Sequence, residues 1–177
     1  MVPHRPVHGA GSGRPNLELT ETLRGKEKRG SLLWVLDKTK TAMGARNLRA
    51  WLQQPLVDVA AIDRRLSAVA ALAEHTVARE ELILALSGIA DMERLIGRVV
   101  YGSAGGRDLV SLRASMERLP AVKAKLASFP TGALHQLDQQ LEDLNDLAAL
   151  IGQTLVDEPP FSVREGEMIR DGFDPEV

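Results

Sequence analysis

Apolar residues recur at steps of three and four along most of the chain after residue 30, which is typical of amphipathic helices. Four of these apolar stretches follow a residue type that favours the position just before a helix: Ser31, Thr41, Asp58 and Asp91. Two more stretches, over 77–86 and 108–119, keep the same period, and Pro120 suits the first turn of a short continuation. The pattern predicts an all-α fold, built as a multi-helix bundle.

The most regular apolar series lies between residues 131 and 156 and predicts the longest helix of the chain. Its seam positions alternate by three and four residues: Leu134, Leu137, Leu141, Leu144, Ala148, Ile151 and Leu155. A seam of this kind suits packing against the preceding helices, and it also suits a helical dimerisation module. Pro159-Pro160 ends the predicted helix, and the residues around Glu165-Gly166 predict a short β-hairpin or an extended arm near the C-terminus.

The two ends of the chain depart from the helical pattern. Residues 1–15 contain three prolines and three glycines, which predicts a disordered leader or a cloning remnant. Pro6 separates His4 from His8 and argues against a helical metal-binding pair there. Asp174-Pro175 is the pattern of a helix start, three residues before the last residue. We therefore expect the chain to be a fragment.

Charge and composition narrow the class of protein. The 177 residues include 22 Lys and Arg, 24 Asp and Glu and no cysteine, which excludes disulfides, cysteine-ligated metals and thiol catalysis. No apolar run reaches the roughly 18 residues of a membrane span, and no apolar signal core is present, which predicts a soluble, cytoplasmic protein without a membrane partner. Residues 1–53 carry ten basic and four acidic residues, a surplus of +6, whereas the remainder carries -8.

The basic surplus leaves a nucleic-acid function open, because Lys and Arg release counterions when they neutralise phosphates. A direct, non-specific DNA-binding helical module would use the basic region 24–49, with five residues on the phosphates: Lys26, Lys28, Arg29, Lys38 and Lys40. A solvated basic face is the alternative interpretation.

Catalytic patterns are absent from the sequence. Gly25-Lys26 lacks the first glycine and the following hydroxyl of a phosphate-binding loop. His75 follows a predicted helix and fits a C-capping role, and it is far from His135 in sequence. Asp91 and Glu93 are two residues apart on a helix and point in different directions. We predict no catalytic, cofactor-binding or metal-ligating residue, and no enzyme activity.

Several ordered sequence blocks closely resemble the core domain, domain III, of the MutS family of DNA mismatch-repair proteins. They are NLELTE at 16–21, LLWVLDKTKTAMGAR at 32–46, LRAWLQQPL at 48–56, DMERLIGRV at 91–99, Arg107-Asp108-Leu109, and DEPPFSVREGEMIRDGFDPEV at 157–177. By this resemblance, residues 16–177 form a partial helical core domain that stops before the lever and the clamp insertion. The Phe-x-Glu mismatch-reading motif and the Walker motifs are absent, so no functional residue of the family is carried over.

The resemblance implies a structural and allosteric core segment of a mismatch-repair protein that as a whole binds mismatched DNA in an ATP-dependent manner. Such a segment links the ATPase domain to the DNA clamp. Its partners are the connector, clamp and ATPase domains, with mismatched DNA, ATP and Mg²⁺ bound by the whole protein, which is a homodimer. We expect Ser31–Pro55 to be the junction with those parts, and Trp34 and Trp51 to anchor one core region.

Overall fold

The computed structural model describes residues 17–173. In this part of the chain nine α-helices follow one another, and a 3₁₀ turn lies at Val163–Glu165. The helices are α1 (Leu32–Leu36), α2 (Ala42–Gln53), α3 (Val59–Glu74), α4 (Thr76–Leu86), α5 (Met92–Val100), α6 (Gly106–Met116), α7 (Leu119–Leu126), α8 (Gly132–Gln140) and α9 (Asn145–Thr154). The predicted all-α fold is confirmed.

The predicted helix starts are confirmed at the level of single hydrogen bonds. The side chains of Ser31, Thr41, Asp58 and Asp91 each accept a backbone N–H from three residues further on, at distances between 2.7 and 3.3 Å. Each bond satisfies one of the free N–H groups of a first helical turn. Pro120 lies in the first turn of α7, where its missing N–H costs nothing.

Two compact units divide the chain, residues 1–62 and 63–177. In the described part of the first unit, the N–H groups of Leu32 and Leu33 donate to the carbonyls of Glu18 and Leu19 at 3.0 and 2.8 Å, which ties residues 18–19 to the start of α1. Helix α1 also packs against α2.

The prediction that the two tryptophans anchor a core is wrong. Trp34 is 49% exposed and Trp51 is 42% exposed. Helix α1 has only five residues, and Leu33 is the one that it buries. Helix α2 buries none of its residues. A helix this short presents a single inward position, so Trp34, the next residue, faces outward.

The core of the second unit lies between α6 and α9. Leu112 and Met116 of α6 pack with Ala148 of α9, and Met92, Leu95 and Leu144 surround them. Helix α5 packs against α6, whereas α7 packs against both α4 and α8. Helix α7 buries Leu119, Val122 and Leu126, which are three and four residues apart.

The prediction of one long helix over 131–156 is also wrong. Helix α8 ends at Gln140, α9 begins at Asn145, and Leu144 between them has φ 50°. The Lys123 ammonium donates to the carbonyls of Asp138 and Leu141 at 3.0 and 2.6 Å, so a side chain of α7 satisfies the last turn of α8. Since α8 packs against α7 and α9 against α6, the predicted seam is divided between two helices.

Residues 156–168, here called the arm, return antiparallel to the end of α9. Leu155 and Ile169 form an isolated antiparallel bridge. The Val156 N–H donates to Met168 and the Arg170 N–H to Thr154, at 3.0 and 2.8 Å. The hairpin or extended arm expected here takes this form, with Glu165-Gly166 in the turn of the arm.

Some predictions fall on other residues. The leader at 1–15, with His4 and His8, lies outside the described residues, and so does the helix start at Asp174-Pro175. Within 17–173, no helix is both long enough and apolar enough to cross a membrane.

One close contact makes a test of the packing. A Cβ added to Gly106, at the start of α6, would lie 2.7 Å from the Cβ of Pro159, and both residues are buried. We predict that Gly106→Ala lowers the free energy of unfolding by about 1–3 kcal/mol, because one of the two backbones must move. Urea unfolding followed by circular dichroism measures the difference.

Gly97→Ala is the matched control. Gly97 lies inside α5, and an added Cβ would have no neighbour within 4 Å. Alanine favours helix over glycine, so this variant should gain up to about 1 kcal/mol. Equal destabilisation by the two substitutions would show that the contact with Pro159 is not the cause.

Candidate interaction surfaces

Three of the sequence blocks meet at the N-terminal end of α6. We call this place the α6 junction and define it by Arg98 of α5, Arg107 and Asp108 of α6, and Pro159 and Phe161 of the arm. The dipeptide Arg107-Asp108 connects the other two blocks. Successive residues of a helix point in different directions, so its two side chains reach different neighbours.

Asp108 holds α5 to α6. One of its carboxylate oxygens accepts the Gly105 backbone N–H at 3.1 Å, which caps the first turn of α6. The other accepts Nη1 of Arg98 at 2.6 Å. The Gly105 N–H and, after it, the Arg98 guanidinium hold the pKa of Asp108 below its ordinary value, because both stabilise the charged carboxylate. The cap and the ion pair therefore share one side chain.

Arg107 holds α6 to the arm. Its Nε donates to the carbonyl of Pro159 at 3.0 Å, and its guanidinium carbon lies 5.7 Å from the ring centroid of Phe161. This distance is within the range of a cation–π contact. Phe161 is 82% exposed, so most of its ring remains open to another molecule or domain.

Asp157 forms a second attachment of the arm. Its Oδ1 accepts Nη2 of Arg170 at 2.8 Å and Nη2 of Arg113 at 3.1 Å. Arg170 and Arg113 lower the pKa of Asp157. The Nε of Arg170 also donates to the carbonyl of Leu155 at 2.7 Å. Exposed ion pairs contribute little singly, but this network joins α6, the end of α9, the start of the arm and Arg170, which follows the arm.

The geometry of these contacts is that of an attachment between helices. Among residues 17–173, no group of three His, Asp or Glu side chains is placed to bind a metal ion. Between α6 and the arm lies an open groove, lined by Arg107, Val110, Ser111, Ala114 and residues 157–159. The absence of catalytic and cofactor-binding residues stays a prediction.

Sequence reasoning missed most of this network. Arg113, Asp157 and Arg170 were not singled out, although the last two lie in the 157–177 block, because the bonds that join the three link residues distant in sequence. His75 was interpreted correctly, since its backbone N–H and its Nδ1 both contact the carbonyl of Ala71, at 3.1 and 2.9 Å. Its ring also meets Phe129 edge-on, with 5.6 Å between the ring centroids.

The basic region 24–49 is partly neutralised. Lys28 pairs with Asp37 at 2.5 Å, and Arg49 pairs with Glu21 at 3.2 Å. Five other cations of this region are exposed and have no acidic partner among residues 17–173: Arg24, Lys26, Arg29, Lys38 and Lys40. Four of the five residues that were predicted to contact phosphates are therefore free to do so, and Lys28 is not.

Apolar surface is also exposed. Four of the five side chains of α1 are between 41% and 56% exposed: Leu32, Trp34, Val35 and Leu36. Leu66 and Val69 of α3 and Val77 and Leu84 of α4 are exposed to a greater extent. Large exposed apolar side chains that follow one another, as on α1, are typical of regions that contact another protein surface.

The Lys28–Asp37 pair makes a test by titration. Lys28 and the Thr39 hydroxyl, which donates at 2.6 Å, lower the pKa of Asp37 from 3.8 to about 2. We predict that Lys28→Gln raises this pKa toward 3.8, as measured by NMR titration of the carboxyl carbon. Because the folded pKa is depressed, the pair's contribution to stability is complete above about pH 4 and disappears as the pH falls toward 2.

Lys26→Gln removes a nearby lysine that has no acidic partner among the described residues. It should leave the pKa of Asp37 close to 2. An identical rise in both variants would mean that the general positive field, and not the Lys28 hydrogen bond, lowers this pKa.

Comparison with known proteins agrees with the sequence blocks. The family model "MutS domain III" matches residues 12–171. The chain is 47% identical over 166 residues to the DNA mismatch repair protein MutS of Lachnoclostridium phytofermentans, which covers 94% of this chain and 18% of that protein. It is also 47% identical over 167 residues to the protein of that name from Desulforamulus reducens, covering 94% of this chain and 19% of that protein.

The MutS of Alkaliphilus oremlandii gives a similar result, with 46% identity over 166 residues. The chain therefore spans less than a fifth of the length of these relatives. The matched region includes all nine described helices and both attachments of the arm. The chain belongs to the MutS domain III family.

Proposed function

We propose that this chain is the structural and allosteric core segment of a longer mismatch-repair protein, in which it links an ATPase domain to a DNA clamp. The observation that carries the proposal is the α6 junction, where single side chains tie the arm and two helices together. The relatives named as DNA mismatch repair proteins are about five times longer than the matched region, which leaves room for both domains.

The α6 junction supports a role in transmitting movement. Asp108 fixes α5 to α6, and Arg107 fixes the arm to the same end of α6. The other end of α6 packs against α9 through Met116 and Ala148. A displacement applied to the arm is then shared by three helices, which move as one body because close-packed interiors deform little.

The exposed apolar side chains support contacts with other domains. Trp34, Val35 and Leu36 of α1 lie in Ser31–Pro55, the segment that we expect to meet the missing parts. In the longer protein, the connector, clamp and ATPase domains would cover these side chains and those of α3 and α4. Burial of this surface would add to stability in proportion to the apolar area removed from water.

The remaining properties of the whole protein belong to the same proposal. It binds mismatched DNA as a homodimer in the cytoplasm, and its ATPase domain holds ATP and Mg²⁺. The present chain has no phosphate-binding loop in its sequence, so the nucleotide is bound by residues outside it. Its own contribution is to position domains.

A chimera tests the proposal. In the chimera, this chain replaces the matching segment of Lachnoclostridium phytofermentans MutS. The chimera is expressed in a host that lacks its own MutS, and repair is measured as a fall in the mutation rate of that host. We expect the chimera to restore repair. Arg107→Ala within it should lower the stimulation of ATP turnover by mismatched DNA about threefold to tenfold, because coupling energies of single residues are of this order. Basal turnover should not change.

Arg94→Ala is the control for this experiment. Arg94 is an exposed arginine of α5, close in sequence to the junction, and its side chain has no partner among residues 17–173. It should leave the stimulation unchanged. If the chimera restores repair and Arg107→Ala changes neither repair nor the stimulation of ATP turnover, the family role is supported and transmission through the α6 junction is refuted. A chimera without any repair activity, although folded, would refute the proposed function.

Direct DNA binding is the second candidate function, and the free cations of the basic region favour it. Replacing Lys26, Arg29, Lys38 and Lys40 by Glu should then reduce the slope of log affinity against log salt by up to about 4, since each phosphate contact contributes about 0.9. Fluorescence anisotropy with a 20-base-pair duplex between 50 and 200 mM salt measures the slope. Unchanged binding would eliminate this candidate.

A further inference from the structure

The α8–α9 break is not encoded by residues that stop helices. From Ala133 to Ile151 the sequence contains neither proline nor glycine, and the apolar seam continues through residues 141–144. Leucine and glutamate, which favour helices, occupy three of these four positions. Apart from Asp143, whose Oδ1 accepts the Asn145 N–H at 3.4 Å, the local sequence favours a continuous helix, and a tertiary contact adds to this local bond in favouring the break.

Lys123 supplies that contact at two carbonyl groups. In a continuous helix, the carbonyl of Asp138 would accept the N–H of Glu142, and that of Leu141 would accept the N–H of Asn145. In the structure, the Lys123 ammonium occupies these same two acceptors. In the broken arrangement the Lys123 ammonium thus stabilises two carbonyls to which the amides of Glu142 and Asn145 do not donate, and this bond favours the break over the continuous helix.

The broken arrangement has one local cost, at Leu144, and a second unfavourable group, Asp138, lies nearby in α8. Leu144 has φ 50° and ψ 26°, the left-handed region that side chains with a Cβ disfavour. Its side chain packs beside Leu112 and Ala148, which holds it in this conformation. Asp138 is 7% exposed, and its buried Oδ1 has no hydrogen-bond partner among the described residues. A continuous helix would remove the cost at Leu144, because Leu144 would then be right-handed.

We propose that residues 141–144 are a two-state hinge. In the state shown here, Lys123 latches the break. In a less populated state, Lys123 releases the two carbonyls, and α8 and α9 join into one helix over 132–154. The bridge between Leu155 and Ile169 ties the arm to the end of α9, so the arm changes direction with the hinge. This inference does not depend on the proposed role in mismatch repair.

NMR relaxation dispersion on the ¹⁵N-labelled 177-residue chain tests the hinge. Millisecond exchange should appear at the amides of residues 142–145. Lys123→Met removes the ammonium but keeps a long apolar side chain, and it should raise the population of the straight state roughly tenfold or more, because the lost hydrogen bonds are charge-assisted. The amide of Glu142 should then become protected from hydrogen exchange.

Lys125→Met is the matched control on the same helix. Lys125 pairs with Glu81 of α4 at 2.9 Å, and the two carbonyls of residues 138 and 141 accept Lys123 instead. It should leave the exchange at residues 142–145 unchanged. An equal effect of both substitutions would assign the exchange to weakened packing of α7 and overturn the latch.

Glu142→Pro holds the hinge in the broken state. Leu141, with φ -81° and ψ 113°, already has the extended conformation that a residue before proline requires. The Glu142 N–H has no acceptor among residues 17–173, so its loss costs nothing here, whereas the straight helix needs it. This variant should fold and lose the exchange. If Lys123→Met does not fold, the other two proteins still test the proposal. Absence of millisecond exchange from the unmodified chain would overturn it, and so would exchange that persists in Glu142→Pro.

Discussion

The packing of α6 against α9 is the contact on which the second unit depends. Leu112 and Met116 meet Ala148 there, and the small alanine side chain lets the two helices approach closely. Helix α5 packs on α6, and the arm begins directly after α9. The N-terminal end of α6 then gathers Arg107 and Asp108, whose partners lie on the arm and on α5. Without this packing, the residues that attach the arm would not be held at fixed positions relative to one another.

Local features of the fold could be predicted from the sequence. The caps at Ser31, Thr41, Asp58 and Asp91 were predictable because each side chain bonds a backbone group only three residues away. The all-α class was predictable from the three- and four-residue spacing of apolar residues. This spacing does not depend on where each helix begins or ends. The domain III family was identified from ordered blocks that extend over most of the chain, and the family model confirms it.

Other features depend on residues that are distant in sequence, and these were missed. The long helix over 131–156 was predicted from a seam with no internal interruption, but the Lys123 ammonium, 15 and 18 residues away from its two acceptors, stabilises the break. The tryptophans were expected in a core because of their size, yet α1 is too short to bury more than Leu33. Four attachment residues lie in the family blocks, namely Arg107, Asp108, Asp157 and Arg170, and Arg113 lies outside them. The blocks do not indicate which of these residues bond to one another.

The two attachments of the arm differ in physical kind. Asp157 holds the arm by charge, and acid or salt weakens such a contact. Gly106 holds it by shape, since Pro159 lies where a side chain would otherwise be, and the Arg107 guanidinium, which acid does not discharge, bonds the carbonyl of the same proline. Conditions that release the first leave the second in place. An arm freed at Asp157 would therefore stay attached to α6 at Pro159 and to the end of α9 through the backbone bonds of Val156 and Arg170, so loss of this one charge contact would loosen the arm without detaching it.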